Sequence, residues 1–136
     1  VIRTRYTSGS VFEKSYGFSR AVKIGDRVLV SGTTAASEHH TGGPGEAVEQ
    51  VRAILSRIDG VLAKFGGSLA DVVSYRCYVV NVPRDGEAIA LELGATFGET
   101  RPAGTLIGSH ALIQPNMLVE MEFEAILGSS SGIDDI

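Results

Sequence analysis

The sequence predicts an α+β fold with elements in the order β-β-β-α-β-α-β-β, a six-stranded mixed sheet with two helices on one face. Three observations predict it. Residues 118–127 alternate: Val119, Met121, Phe123, Ala125 and Leu127 point one way, and Leu118, Glu120, Glu122, Glu124 and Ile126 the other. Val48, Val51, Leu55, Ile58, Leu62 and Phe65 recur at three- and four-residue steps, which gives a helix one apolar stripe. Two such helical segments cannot cover both faces of six strands, so they share a face and leave the other open.

The remaining elements follow in chain order. Arg3–Tyr6 reads as a short strand, followed by a loop to residue 18. Ser19–Ile24 and Arg27–Thr34 read as a hairpin about Gly25-Asp26. In its second strand Val28, Val30 and Gly32 share one face, and Leu29, Ser31 and Thr33 the other. Residues 35–45 are a Gly-rich polar loop, and Gly66-Gly67 ends the helix that follows. Ser68 with Asp71 has the spacing of a capping turn. Val72–Val82 is dense in β-branched and aromatic residues and reads as a strand stopped by Pro83. Arg84–Phe97 is a second helix with Ile89, Leu93 and Phe97 inward, and Ala103–Leu112 a strand interrupted by Gly104 and Gly108. Residues 1–127 are expected to form one domain, and residues 128–136 (GSSSGIDDI) a flexible tail.

Composition narrows the function. The chain has 136 residues, 43% hydrophobic and 21% charged, a formal net charge of −4 and a pI near 5.3. Its basic residues are scattered, which argues against a nucleic-acid partner that would need a basic stripe to displace counterions. Cys77 is the only cysteine, so no intramolecular disulfide forms. No stretch approaches the roughly 20 apolar residues that span a bilayer. The expectation is a cytoplasmic protein, or one inside an organelle after loss of a targeting segment, with no membrane partner.

The alternating strand places three carboxylates on the open face. Either that face is solvated, or it lines an oligomer interface or cleft. In the second case a partly desolvated carboxylate acquires a raised pKa and can serve as a general acid or base.

Three segments together resemble the Rid (YjgF/YER057c/UK114) family: YGFSRAV (16–22) with RVLVSGTTA (27–35), GGSLADVV (66–73) with the strand through Asn81, and RPAGTLIG (101–108) with LVEMEFEAI (118–126). Their order and spacing match over about residues 10–127. The resemblance implies a chorismate-mutase-like fold, a homotrimer packed through the open sheet faces, three pockets between subunits, and no metal or organic cofactor. It also implies hydrolysis or tautomerisation of a small imine, enamine or related carbonyl metabolite, as in the imine deaminases of the family. A name used for such proteins refers to ribonuclease activity.

Carried over position by position, Glu120 matches the pocket glutamate that activates water, Ser31 a pocket serine and Gly32 the glycine after it. Four positions depart. Gly104 stands where the family has its carboxylate-gripping arginine, Leu106 at a cysteine, Phe18 at a tyrosine and Ala90 at an asparagine of the second helix. A bidentate arginine fork has no substitute in glycine. Arg101, Arg20 and Arg76 are the nearby cations. A more apolar site with space over Gly104 is expected to favour a larger, uncharged or aromatic ligand.

Thr33 and Thr105 can supply hydroxyls to the pocket. His110 shares a face with Gly104 if the strand stays regular to that point. Cys77, mid-strand, reads as a buried structural thiol. His39 and His40, adjacent in a loop, point apart and make a poor metal site. Gly42-Gly43-Pro44-Gly45 lacks the lysine and spacing of a phosphate loop. Two functions result: a diverged Rid enzyme using Glu120 and Ser31, or a non-catalytic trimer that binds a metabolite or a protein partner.

Overall fold

The computed structural model describes every residue except Ala36 and Glu38, both in the loop expected at 35–45. It contains six strands, β1 (Arg3–Tyr6), β2 (Ala21–Ile24), β3 (Arg27–Thr33), β4 (Val72–Val79), β5 (Ala103–Gly108) and β6 (Val119–Ile126). Three helices join them: α1 (Val11–Tyr16), α2 (Glu46–Ala63) and α3 (Val82–Phe97). The sheet order is β1-β2-β3-β6-β4-β5. Among the described residues only β4 and β5 run parallel, joined through α3, so the sheet is mixed as expected.

The two main helices lie on one face. Val51, Ile54, Ile58 and Leu62 of α2 and Ile89, Leu93 and Phe97 of α3 meet Val28, Val30, Cys77, Val79, Met121 and Phe123 of the sheet. β6 alternates buried and half-buried along its whole length. Cys77 is wholly buried, and desolvation pushes its thiol up to about 12, a structural and unreactive group.

The structure differs from the sequence reading in several places. Where a loop was expected, α1 forms: the Ser10 hydroxyl caps the Phe12 amide, and Gly17, at φ +75°, ends the helix in the left-handed region. β4 stops at Val79, because Asn81 caps α3 and Pro83 lies in the first turn of that helix, where its missing N–H costs nothing. β5 ends at Gly108, not at Leu112. Leu118, expected on the open face, is buried. Past the last strand, the expected tail begins with a 3-10 turn, Ser129–Ser131, tied to Asp71 by the Gly128 amide at 3.0 Å and the Ser130 hydroxyl at 3.3 Å. The same Asp71 completes the capping box with Ser68 that the spacing suggested.

One irregularity matters for the site. Val30 pairs with Phe123 and Thr33 with Met121, so β3 carries one more residue than β6 over that interval. This bulge shifts the alternation. Thr33 turns to the helix-covered side, is 1% exposed and donates to the Ser31 carbonyl, while Gly32 lies beneath Glu120.

A buried amide fixes the neighbouring connection. Gln50 of α2 donates to the Asn116 carbonyl at 2.9 Å and accepts from the Leu118 amide at 3.0 Å. Asn116 in turn donates to the Ser37 carbonyl. Gln50→Leu leaves two buried backbone groups unsatisfied, so it is expected to lower stability by on the order of 2 kcal/mol. A shift of the urea midpoint without a change of slope checks this.

Candidate functional site

The three carboxylates of β6 have different surroundings. Glu124 accepts a two-pronged bond from Arg27, at 2.6 and 3.2 Å. Glu122 accepts from Tyr78 at 2.8 Å and from Arg76 at 3.2 Å. Glu120, among the described residues, has neither a hydrogen-bond nor an ion-pair partner. It is half-buried, and burial raises its pKa. Arg20 opposes that shift and Glu122 adds to it.

Glu120 lies on the wall of a cavity of about 450 Å³. Phe18, Arg20 and Gly32 line it from the strands and the turn before them, Glu13 and Tyr16 from α1, Arg57 from α2, and Ile113 and Met117 from the 109–118 connection. A Cβ at Gly32 would come within 3.0 Å of the Glu120 Oε1 atom, so the bare backbone leaves the carboxylate its position. Arg20 is held against the wall: one terminal nitrogen donates to the Gly32 carbonyl at 2.7 Å, and its guanidinium lies 5.6 Å from the Phe18 ring centroid. Desolvation lowers the Arg20 pKa, Glu13 raises it, Arg57 lowers it and Glu120 raises it. Glu13 is buried and accepts from the Ser8 amide at 3.0 Å and from the Ser8 hydroxyl.

Of the residues singled out in the sequence, Phe18, Gly32 and Glu120 meet at this cavity. Ser31 lines the adjoining cleft between β1 and α1, and its hydroxyl donates to the Ser19 carbonyl at 2.6 Å. Thr33 lies on the helix-covered face because of the bulge. Gly104 and Leu106 pair with Tyr75 and Cys77 and so face the helices, whereas Thr105 lies beside Arg76 on the open face. His110 follows the end of β5 and is exposed, so it does not share a strand face with Gly104. None of these β5 residues lines the Glu120 cavity within one chain.

The space expected over Gly104 is filled. A Cβ there would lie within 3.0 Å of the Tyr75 ring and its hydroxyl. That ring is itself stacked on Phe97, with centroids 5.5 Å apart. The expectation of room for a larger ligand at Gly104 is therefore corrected: Tyr75 occupies it.

Comparison with known proteins shows the family of the chain. A family model described as Endoribonuclease L-PSP matches residues 9–127. The chain belongs to this family, also called YjgF/YER057c/UK114. A YjgF/YER057c/UK114 member from Mycobacterium tuberculosis has a crystal structure that superposes with a TM-score of 0.82 at 38% identity, covering 93% of this chain and 100% of that one. An uncharacterised Streptomyces coelicolor protein is 35% identical over 125 residues, 92% of each chain. A RutC family protein of Pyrococcus abyssi is 29% identical over 107 residues, 77% of this chain and 82% of its own. Among the described residues no helix is long and apolar enough to cross a membrane, and no three His, Cys, Asp or Glu side chains gather as a metal site.

In this YjgF/YER057c/UK114 chain, sequence reasoning undervalued Arg20 and missed Glu13, Arg57 and the apolar residues Ile113 and Met117. Ser10 followed by Glu13 has the spacing of a helix start and could have revealed α1. The bulge left no equivalent mark. The cavity yields one direct test: Gly32→Ala is expected to displace the flexible end of Glu120 while leaving the fold intact. An unchanged melting temperature with a displaced Glu120 side-chain carboxyl resonance is the expected result.

Proposed function

We propose that this protein hydrolyses the imine or enamine form of a small carbonyl compound, with Glu120 as the proton carrier. The observation that carries this reading is the half-buried Glu120 carboxylate, unpaired among the described residues while its two strand neighbours are both engaged. In the reaction, the ionised carboxylate takes a proton from water as the water oxygen adds to the C=N carbon. The nitrogen receives a proton, and the resulting carbinolamine collapses to a carbonyl and ammonia. A raised pKa makes Glu120 a better base than an exposed carboxylate and leaves it able to return the proton. No metal or cofactor takes part in this scheme.

The reading includes assembly as a trimer through the open face. Leu29 and Ile107 there are 39% and 48% exposed. The β5 positions matched to the family pocket sit apart from Glu120 in one chain, and a neighbouring subunit would bring its own β5 to the Glu120 cavity. In this scheme Gly104 marks a departure from the family's arginine, and Ser31 shapes the cavity wall from behind, its hydroxyl being engaged with Ser19.

The test is ammonia and keto-acid release from a panel of imines generated in situ, with sedimentation equilibrium on the same sample. Turnover by a trimer supports the reading. Thermal stabilisation by carbonyl ligands without turnover of any imine supports the alternative, a non-catalytic metabolite-binding trimer.

A further inference from the structure

The strand that carries Gly104 offers no cation, yet the Glu120 cavity contains two guanidinium groups, Arg20 and Arg57. Arg57 is exposed and donates to the Thr34 carbonyl at 2.6 Å. Arg20 is the more constrained, pinned by its bond to Gly32 and by the Phe18 ring. Its Nε is buried with no hydrogen-bond partner, and among the described residues no carboxylate closes an ion pair with it. Glu13 and Glu120 act on it only at longer range. A guanidinium that is partly desolvated, prepositioned and unpaired is a receptor for a carboxylate.

We infer that Arg20 is the anion anchor of this site, and that the ligand is a monoanionic carboxylate with an apolar or aromatic body. The inference deepens the proposed function and rests on the Glu120 cavity being the site. Charge sets the ligand class: the cavity's two guanidinium groups, Arg20 and Arg57, are offset by the carboxylates Glu13 and Glu120, so a dianion such as a phosphate monoester meets more repulsion from those carboxylates than a single carboxylate does. The body follows from the wall, where Phe18, Tyr16, Ile113 and Met117 supply apolar surface. The anchor then lies in the same chain as the proton carrier, on the turn into β2, rather than on β5.

Benzoate, its neutral isostere benzamide and inorganic phosphate are suitable probes, titrated calorimetrically into the intact protein. Benzoate is expected to bind at least roughly tenfold more tightly than benzamide, equivalent to about 1.4 kcal/mol, and more tightly than phosphate. Arg20→Met should remove the preference, and Arg20→Lys should keep part of it. Equal binding of benzoate and benzamide, tighter binding of phosphate, no benzoate binding at millimolar concentration, or a preference that survives Arg20→Met would overturn the inference. Should Arg20→Met not fold, the Arg20 Nε–H resonance of the natural protein decides: it should shift with benzoate and not with benzamide. Imine turnover with no carboxylate preference removes only this inference. A carboxylate preference without turnover removes only the hydrolase reading.

Discussion

Gly104→Arg is expected to destabilise the protein by about 2–4 kcal/mol and to confer no gain in turnover. Even the first carbon of the new side chain falls within 3.0 Å of the Tyr75 ring. The ring cannot swing away freely, because it is stacked on Phe97 and tilted against Phe123 at 6.5 Å. Gly104→Ala should therefore already cost on the order of 1–3 kcal/mol. In a Tyr75→Val background the same alanine should be nearly neutral, a coupling that urea denaturation of the four proteins measures directly. Additive costs would show that Tyr75 is not what reserves Gly104 for glycine.

Glu120→Gln is expected to reduce turnover by about 10²–10⁴-fold while the secondary structure and assembly stay unchanged. Its effect on stability has a definite sign. Burial raises the pKa of Glu120 above 4.5, so the folded protein binds the proton more tightly than the unfolded chain does. The stability due to that proton is fully present below the unfolded value and is lost as pH rises through the folded one. Above that window the glutamine variant should melt at a higher temperature than the natural protein, and below it the two should converge. The acid limb of kcat/KM in the natural protein should likewise lie above the ordinary carboxylate range, since the base works only when ionised.

Much of the fold was legible because its signals are periodic. The alternation of β6 and the stripes of α2 and α3 each repeat often enough to outweigh local exceptions. The short strands β1 and β2 were read, but the short helix α1 was not. α1 has six residues and buries only Glu13, so it shows no apolar stripe, and its cap residues are its main trace. The bulge in β3 is a single extra residue, invisible to a rule of strict alternation, and it moved Thr33 to the wrong side for the site and brought Gly32 beneath Glu120.

The candidate site was legible in part for the same reason. Glu120 stood out by its place on an alternating strand, but only the family resemblance, and not the strand pattern, separated it from Glu122 and Glu124. The partners of those two, Arg76, Tyr78 and Arg27, come from other strands and are set by sheet order. The importance of Arg20 was hidden likewise, because its bond to the Gly32 carbonyl and its proximity to Arg57 are tertiary. Gly104 was read as open space because its occupant, Tyr75, is a lateral neighbour from a parallel strand 29 residues earlier in the chain.

The most direct measurement is ammonia release from 2-imino acids with apolar or aromatic side chains, generated in situ and followed side by side with the natural protein, Glu120→Gln and no protein. Release accelerated by the natural protein and returned to the protein-free rate by Glu120→Gln is the predicted result. Acceleration that persists undiminished in Glu120→Gln would contradict the assignment of Glu120 as the proton carrier.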